Sequence, residues 1–242
     1  MRRHSSVLWL MVQRTFGRVM ILLVGIIAVQ AVLLREAVQK LEFGNYSLEQ
    51  ALDQGHVAGA AGVGLIIMTA MLCMAWEERG HESFGYTLRR LSVSERMIVL
   101  WQAVYHGGCY LLMWATQMLG MMALAQWYTQ IADPAIVTGQ TVFLAFYRHG
   151  YLHGLLPMLD VMYWIRNLGL LIALSLSSAY FVYARRRGKT SVELPAMLLL
   201  IMIFFGAYVD MAGAEGMVIV FSAVCIALIL WRLWREENAY EE

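Results

Sequence analysis

Two histidines four residues apart, His149 and His153 in the stretch RHGYLHG, share one helical face and are spaced as two metal or haem ligands would be. No third ligand of matching character is adjacent, since Asp160 is the nearest carboxylate along the chain. The flanking Tyr147 and Tyr151 read more simply as anchors of a helix at headgroup depth. A second stretch, RRRGKT at 185–190, looks like a loop that cradles phosphate. Such a loop needs a glycine five residues ahead of its Gly-Lys pair, and Tyr183 stands there, so no ATP site is expected in this chain. Arg166 is the sharpest single residue. It lies six residues beyond Asp160, about 9 Å deeper along a helix, where an arginine costs on the order of 2.5–3.5 kcal/mol to insert into a bilayer. Asp210 is expected at similar depth as its counter-ion; the pair is either a polar contact on a translocation path or a structural ion pair. Gln102, His106, Thr116 and Gln117 are further polar residues in an apolar run, facing either a lumen or neighbouring helices. Cys73, Cys109 and Cys225 stand singly in apolar surroundings and read as packing residues.

Residues of this kind must be positioned by something, and the composition says by what. Of 242 residues, 60% are hydrophobic and 14% charged, with a mean hydropathy of +0.61. A water-soluble domain would have to expose much of that surface, so an all-α integral membrane protein is expected. A net charge of +1 implies neither nucleic acid nor an acidic substrate as partner. Apolar runs near 18–34, 57–76, 98–128, 160–183, 194–211 and 217–233 predict six transmembrane helices in one transmembrane domain, 1–242. Placing both termini in the cytoplasm puts Arg2, Arg3, Arg14, Arg18, Arg79, Arg89, Arg90, Arg96, Arg185, Arg186, Arg187, Lys189, Arg232 and Arg235 inside, and only Arg35, Lys40 and Arg148 outside. The segment 141–158 is apolar enough to cross, but crossing would put the two inner basic clusters on opposite sides. It is expected instead as an outer interfacial helix between spans three and four. The N-terminal residues, with Leu8, Met11 and Val12 on one face, are expected as a second interfacial helix, on the cytoplasmic side. Small residues at Gly55, Gly59, Ala60 and Gly64 predict close packing against the second span.

The longest charged run, WEERGHESFGYTLRRLSVSERMIVLW at 76–101, falls on the expected cytoplasmic side. It exceeds an ordinary helix connection. Phe84, Leu88 and Leu91 form an apolar stripe about two turns long, and Ser92 or Ser94 can cap the helix that follows.

This run resembles the permease subunits of type-2 ABC exporters. After their second span these carry an acidic, glycine-containing stretch, a leucine-rich turn, Leu-Pro-Val-Ser-Arg, and an aliphatic run closing in Gly-Lys. Glu77, Glu78 and Gly80 are similar to the first part, Leu88 and Leu91 to the second. Val93 and Ser94 match directly, and Ile98, Val99 and Leu100 match the aliphatic run. Ser92, Glu95 and Trp101-Gln102 depart from the pattern, standing in place of proline, arginine and Gly-Lys. The resemblance implies a permease that pairs with a second permease subunit, identical or homologous. It also implies a coupling helix near 82–91 seated on a separate cytoplasmic ABC ATPase that holds the ATP and Mg. On this reading Glu82, Phe84, Thr87, Leu88, Arg89, Arg90 and Leu91 couple to the ATPase, and an amphipathic peptide or lipid-like substrate moves outward. The resemblance further implies a chain that catalyses nothing itself and is expected in a bacterial cell membrane, in contact with its lipid. Two other classes stay open: an intramembrane haem- or metal-binding redox subunit using His106, His149 and His153, and a scaffold subunit of a membrane complex.

Overall fold

The computed structural model describes residues 2–40, 47–75, 94–132, 137–158, 160–205 and 213–241. Its first element, α1 (Arg2–Lys40), is a single helix of 39 residues. The separate N-terminal interfacial helix expected from the sequence is therefore continuous with the first span. Gln13 and Arg14 interrupt the apolar run, but both residue types are good helix formers. Thr15 turns its hydroxyl to the Met11 carbonyl at 2.9 Å and is also hydrogen-bonded to the Tyr105 hydroxyl, so the polar stretch is packed into the bundle.

A short helix, α2 (Leu48–Gln54), follows. It starts at a capping box: Ser47 Oγ accepts from the Gln50 N–H at 3.4 Å, and Gln50 Oε1 accepts from the Ser47 N–H at 3.2 Å. Then come α3 (Val57–Met74), α4 (Glu95–Ile131), α5 (Thr141–Arg148), α6 (Gly150–Leu155), α7 (Val161–Arg186), α8 (Glu193–Phe204) and α9 (Ala214–Glu241). Among the described residues there is no strand.

Five helices, α1, α3, α4, α7 and α9, are long and apolar enough to cross a membrane. Their outward faces carry Ile21, Val24, Val63, Val104, Leu119, Ile165, Val220 and Trp231 in the open. In water such faces would form an apolar patch far larger than a soluble monomer tolerates, whereas hydrocarbon solvates them. This is the architecture of a multi-pass helical membrane protein. α8 is apolar but only 12 residues long, about 18 Å against a core of about 30 Å. The far part of the expected span 194–211 lies outside the described residues.

The expected single outer helix is two. α5 and α6 are separated at His149, whose backbone is extended (φ −82°, ψ 118°). Neither piece is long enough to cross.

α7 is the central helix. Ala173, Ser177, Ser178 and Ala179 are fully buried on it, and it packs against α3, α4, α8 and α9. One end of the bundle is tied by ions: Arg187 pairs with Glu95, and Arg232 pairs with the buried Glu193. Arg96 also donates to the Trp234 carbonyl at 2.8 Å. The starts of α4 and α8 and the far ends of α7 and α9 therefore meet at one end. The opposite end is roofed by α2, α5 and α6, which close over Leu34, Leu48, Tyr128, Phe146 and Leu152. His149 Nε2 lies 3.0 Å from Asp53 Oδ1, joining the α5–α6 break to α2.

Candidate functional site: a polar-tipped cavity under the roof

Helical spacing brings one face from each of several spans together. On α4, Tyr110, Met113, Trp114 and Gln117 recur at steps of three and four residues, and on α7 Asn167, Leu170, Leu171 and Leu174 do the same. With the small residues Ala58 to Gly62 of α3, with Ile201, Met202 and Phe205 at the end of α8, and with Tyr151 and Leu155 of α6, they enclose a cavity of about 240 Å³. It lies in the half of the bundle away from the ion-paired end.

The glycines of α3 divide their work. A side chain at Gly64 would run into Ile26 of α1, and one at Gly62 into Met202 of α8. Gly59, which lines the cavity and is exposed, has nothing within 4 Å of where its Cβ would stand. The close-packing expectation thus holds for Gly64 and for Gly55, whose Cβ would sit 3.2 Å from the Leu33 carbonyl oxygen.

At the roof end the polar groups form one network. Gln30 of α1, fully buried, donates from Nε2 to the Val57 carbonyl at 3.2 Å and to Gln117 Oε1 at 2.8 Å. Tyr151 donates its hydroxyl to the same Gln117 oxygen at 2.7 Å. Burial pushes the Tyr151 hydroxyl above its ordinary pKa, so it keeps its proton and stays a donor. With two donors on its oxygen, Gln117 presents its Nε2 as the remaining end, and that amide has no hydrogen-bond partner.

Arg166 lies just behind the wall. It is 2% exposed. Its guanidinium stands over the Tyr163 ring at 4.2 Å and donates to Asn167 Oδ1 from Nε at 3.3 Å and Nη2 at 3.2 Å. Asn167 in turn donates to the Gly154 carbonyl at 2.7 Å. Trp114 and Trp164 donate to the next carbonyls of the roof, those of Leu155 (2.9 Å) and Pro157 (2.6 Å). The carbonyls that the end of α6 leaves without intrahelical partners are thus taken up by side chains of α4 and α7. Asp160, a further candidate for a polar intramembrane contact, caps α7 by accepting from the Met162 N–H at 2.9 Å. Asp210 lies outside the described residues, as do Glu82, Phe84, Thr87, Leu88, Arg89, Arg90 and Leu91.

The histidines are dispersed. His149 meets Asp53, while His153 sets its ring edge-on to Tyr163 at 4.8 Å and to Tyr147 at 6.2 Å. His106 Nδ1 is 2.7 Å from Ser178 Oγ. That hydroxyl spends its own proton on the Ser175 carbonyl, so His106 donates from Nδ1. Among the described residues no three His, Cys, Asp or Glu side chains gather as a metal site would require.

No protein-family model, no curated protein and no solved structure matches this chain.

Gln117 and Arg166 are legible in the sequence as polar residues within spans. Gln30, Asn167 and Tyr151 carry the same signal but are less conspicuous. Gln30 is a lone amide in an Ile-, Ala- and Val-rich run, Asn167 sits beside a charge, and Tyr151 resembles a headgroup anchor.

Proposed function

We propose that this chain is the permease subunit of a type-2 ABC exporter, moving an amphipathic, peptide- or lipid-like substrate outward. A separate ABC ATPase, carrying ATP and Mg, docks on its cytoplasmic side, and a second permease subunit completes the transporter. The reading rests first on the resemblance of residues 76–101. The geometry that carries it is the position of the two helix ends flanking that segment. Near the end of α3, Cys73 Sγ is 3.8 Å from the Ser178 carbonyl oxygen. At the start of α4, Glu95 pairs with Arg187. The described helix ends on either side of residues 76–93 therefore lie toward the ion-paired end of the bundle. Arg185, Arg186, Arg187 and Arg232 at that end support a cytoplasmic placement by the positive-inside rule.

The test is affinity purification from native membranes in mild detergent, comparing wild type with Leu88→Glu. A nucleotide-binding ATPase is expected with the wild type and is expected to be lost from the variant, because a carboxylate in an apolar docking stripe leaves a buried charge unpaired. Both chains must elute as folded monodisperse species. Absence of any such ATPase from folded wild type would end the exporter reading.

A further inference from the structure

We infer that the cavity under the roof binds an uncharged, mainly apolar molecule with one hydrogen-bond acceptor, which enters from the hydrocarbon layer between α3 and α8. The inference does not depend on an ATPase partner. It concerns what the membrane chain binds by itself.

Size comes first. A volume of about 240 Å³ exceeds that of an engineered apolar cavity of about 150 Å³ that binds benzene. It suits a length of alkyl chain or a small ring system. Charge comes next. Among the described residues no carboxylate, lysine, arginine or histidine lines the cavity, and Arg166 behind its wall is engaged by Asn167 and the Tyr163 ring. A charged occupant would stay unpaired at this depth, so the occupant is neutral.

The acceptor follows from Gln117. Its oxygen already receives Gln30 and Tyr151, and Gln30 Nε2, held to the Val57 carbonyl, can only donate, which fixes the amide's orientation. The remaining Nε2 is on a side chain 2% exposed and lining the cavity, without a partner. A buried donor left unmade costs about 1–3 kcal/mol, and an ester, ketone or hydroxyl oxygen in the cavity would satisfy it. The other polar linings are used: Tyr110 donates to Thr69 at 3.1 Å, and Asn167 donates to Gly154.

The entrance is lateral. Gly59 of α3 and Met202 of α8 both line the cavity and are both exposed. Around them Val63, Ile66, Leu199 and Ile203 present apolar side chains outward, so the mouth opens onto hydrocarbon.

The test uses purified full-length chain in detergent and a long-chain fatty acid methyl ester carrying a diazirine on its chain. After photolysis, labelled peptides are mapped by mass spectrometry. Labels are expected on 58–65 and 110–117. Unlabelled methyl ester is expected to compete better than an alkane of equal length by the worth of one net hydrogen bond, roughly three- to tenfold. In Gln117→Leu that advantage should vanish. Gly59→Leu is expected to abolish labelling of both segments without loss of fold, since its side chain stands at the mouth, where it obstructs entry, and meets nothing at Cβ. Labelling of Gly59→Leu at the wild-type level, or equal competition by ester and alkane in the wild type, overturns the proposal.

Discussion

Asn167→Leu destabilises the folded chain by about 3 kcal/mol, the expected cost of removing one partner from a buried charge. The residue is nearly isosteric with leucine, so packing changes little. What is lost is the oxygen that accepts both guanidinium hydrogen bonds of Arg166 and the N–H that satisfies the Gly154 carbonyl. Arg166→Met is milder, because it removes the charge and leaves a flexible apolar side chain over Tyr163. The double variant Arg166→Met/Asn167→Leu is expected to be more stable than Asn167→Leu alone, since the cation that needed the amide is gone. Thermal unfolding of all four chains in one detergent measures this cycle. If Asn167→Leu unfolds with the wild type, the amide is not what holds Arg166, and a partner outside the described residues must be.

Two glycines of the same bundle are expected to respond to alanine with opposite signs. The Cβ of Gly154→Ala would stand 2.7 Å from the carbonyl oxygen of Phe205, closer than real contacts allow, and the obstacle is backbone at the end of α8. Overpacking of this kind costs about 1–3 kcal/mol, which outweighs the gain of up to about 1 kcal/mol that alanine brings over glycine in a helix. Gly154→Val, larger and β-branched, should separate α6 from α8 and cost more. At Gly59 nothing opposes the new methyl group, so Gly59→Ala keeps only the helical gain and should raise the unfolding temperature. Equal effects at the two sites would mean that α6 and α8 are not in contact at Gly154.

The spans were legible because twenty-odd apolar residues in succession admit few other structures in lipid, and the observed bounds of α3, α4 and α7 fall within about three residues of the predicted ones. Hydropathy, however, does not report helicity. It marked a boundary at Gln13 and Arg14 where the helix simply continues. The break at His149 had only a weak local signal: Gly150 follows it, but neither proline nor an N-cap residue precedes it. His149 is instead held by Asp53, 96 positions away in sequence, and such a contact is invisible to any window along the chain. By contrast, the start of α2 was written locally as Ser47 and Gln50 three residues apart, a pattern easy to overlook between two long apolar runs.

The candidate site was half legible for a related reason. A polar residue in a span announces that it needs a partner, so Gln117 and Arg166 stood out. The partner's identity depends on which helix faces point inward together. Arg166 illustrates the difference, since the residue that engages it is its own neighbour Asn167, with an oxygen directed back and an amide directed to the roof.

The three cysteines, all buried and none in a disulfide, give the molecule a surface that is silent to water-borne thiol reagents. A single cysteine introduced at Gly139, beside the roof, or at Thr190, past the ion-paired end, would stand exposed against that blank background. Reaction with an impermeant maleimide on sealed cells would then assign each end of the bundle to its side of the membrane, one residue at a time, with no native thiol to remove first.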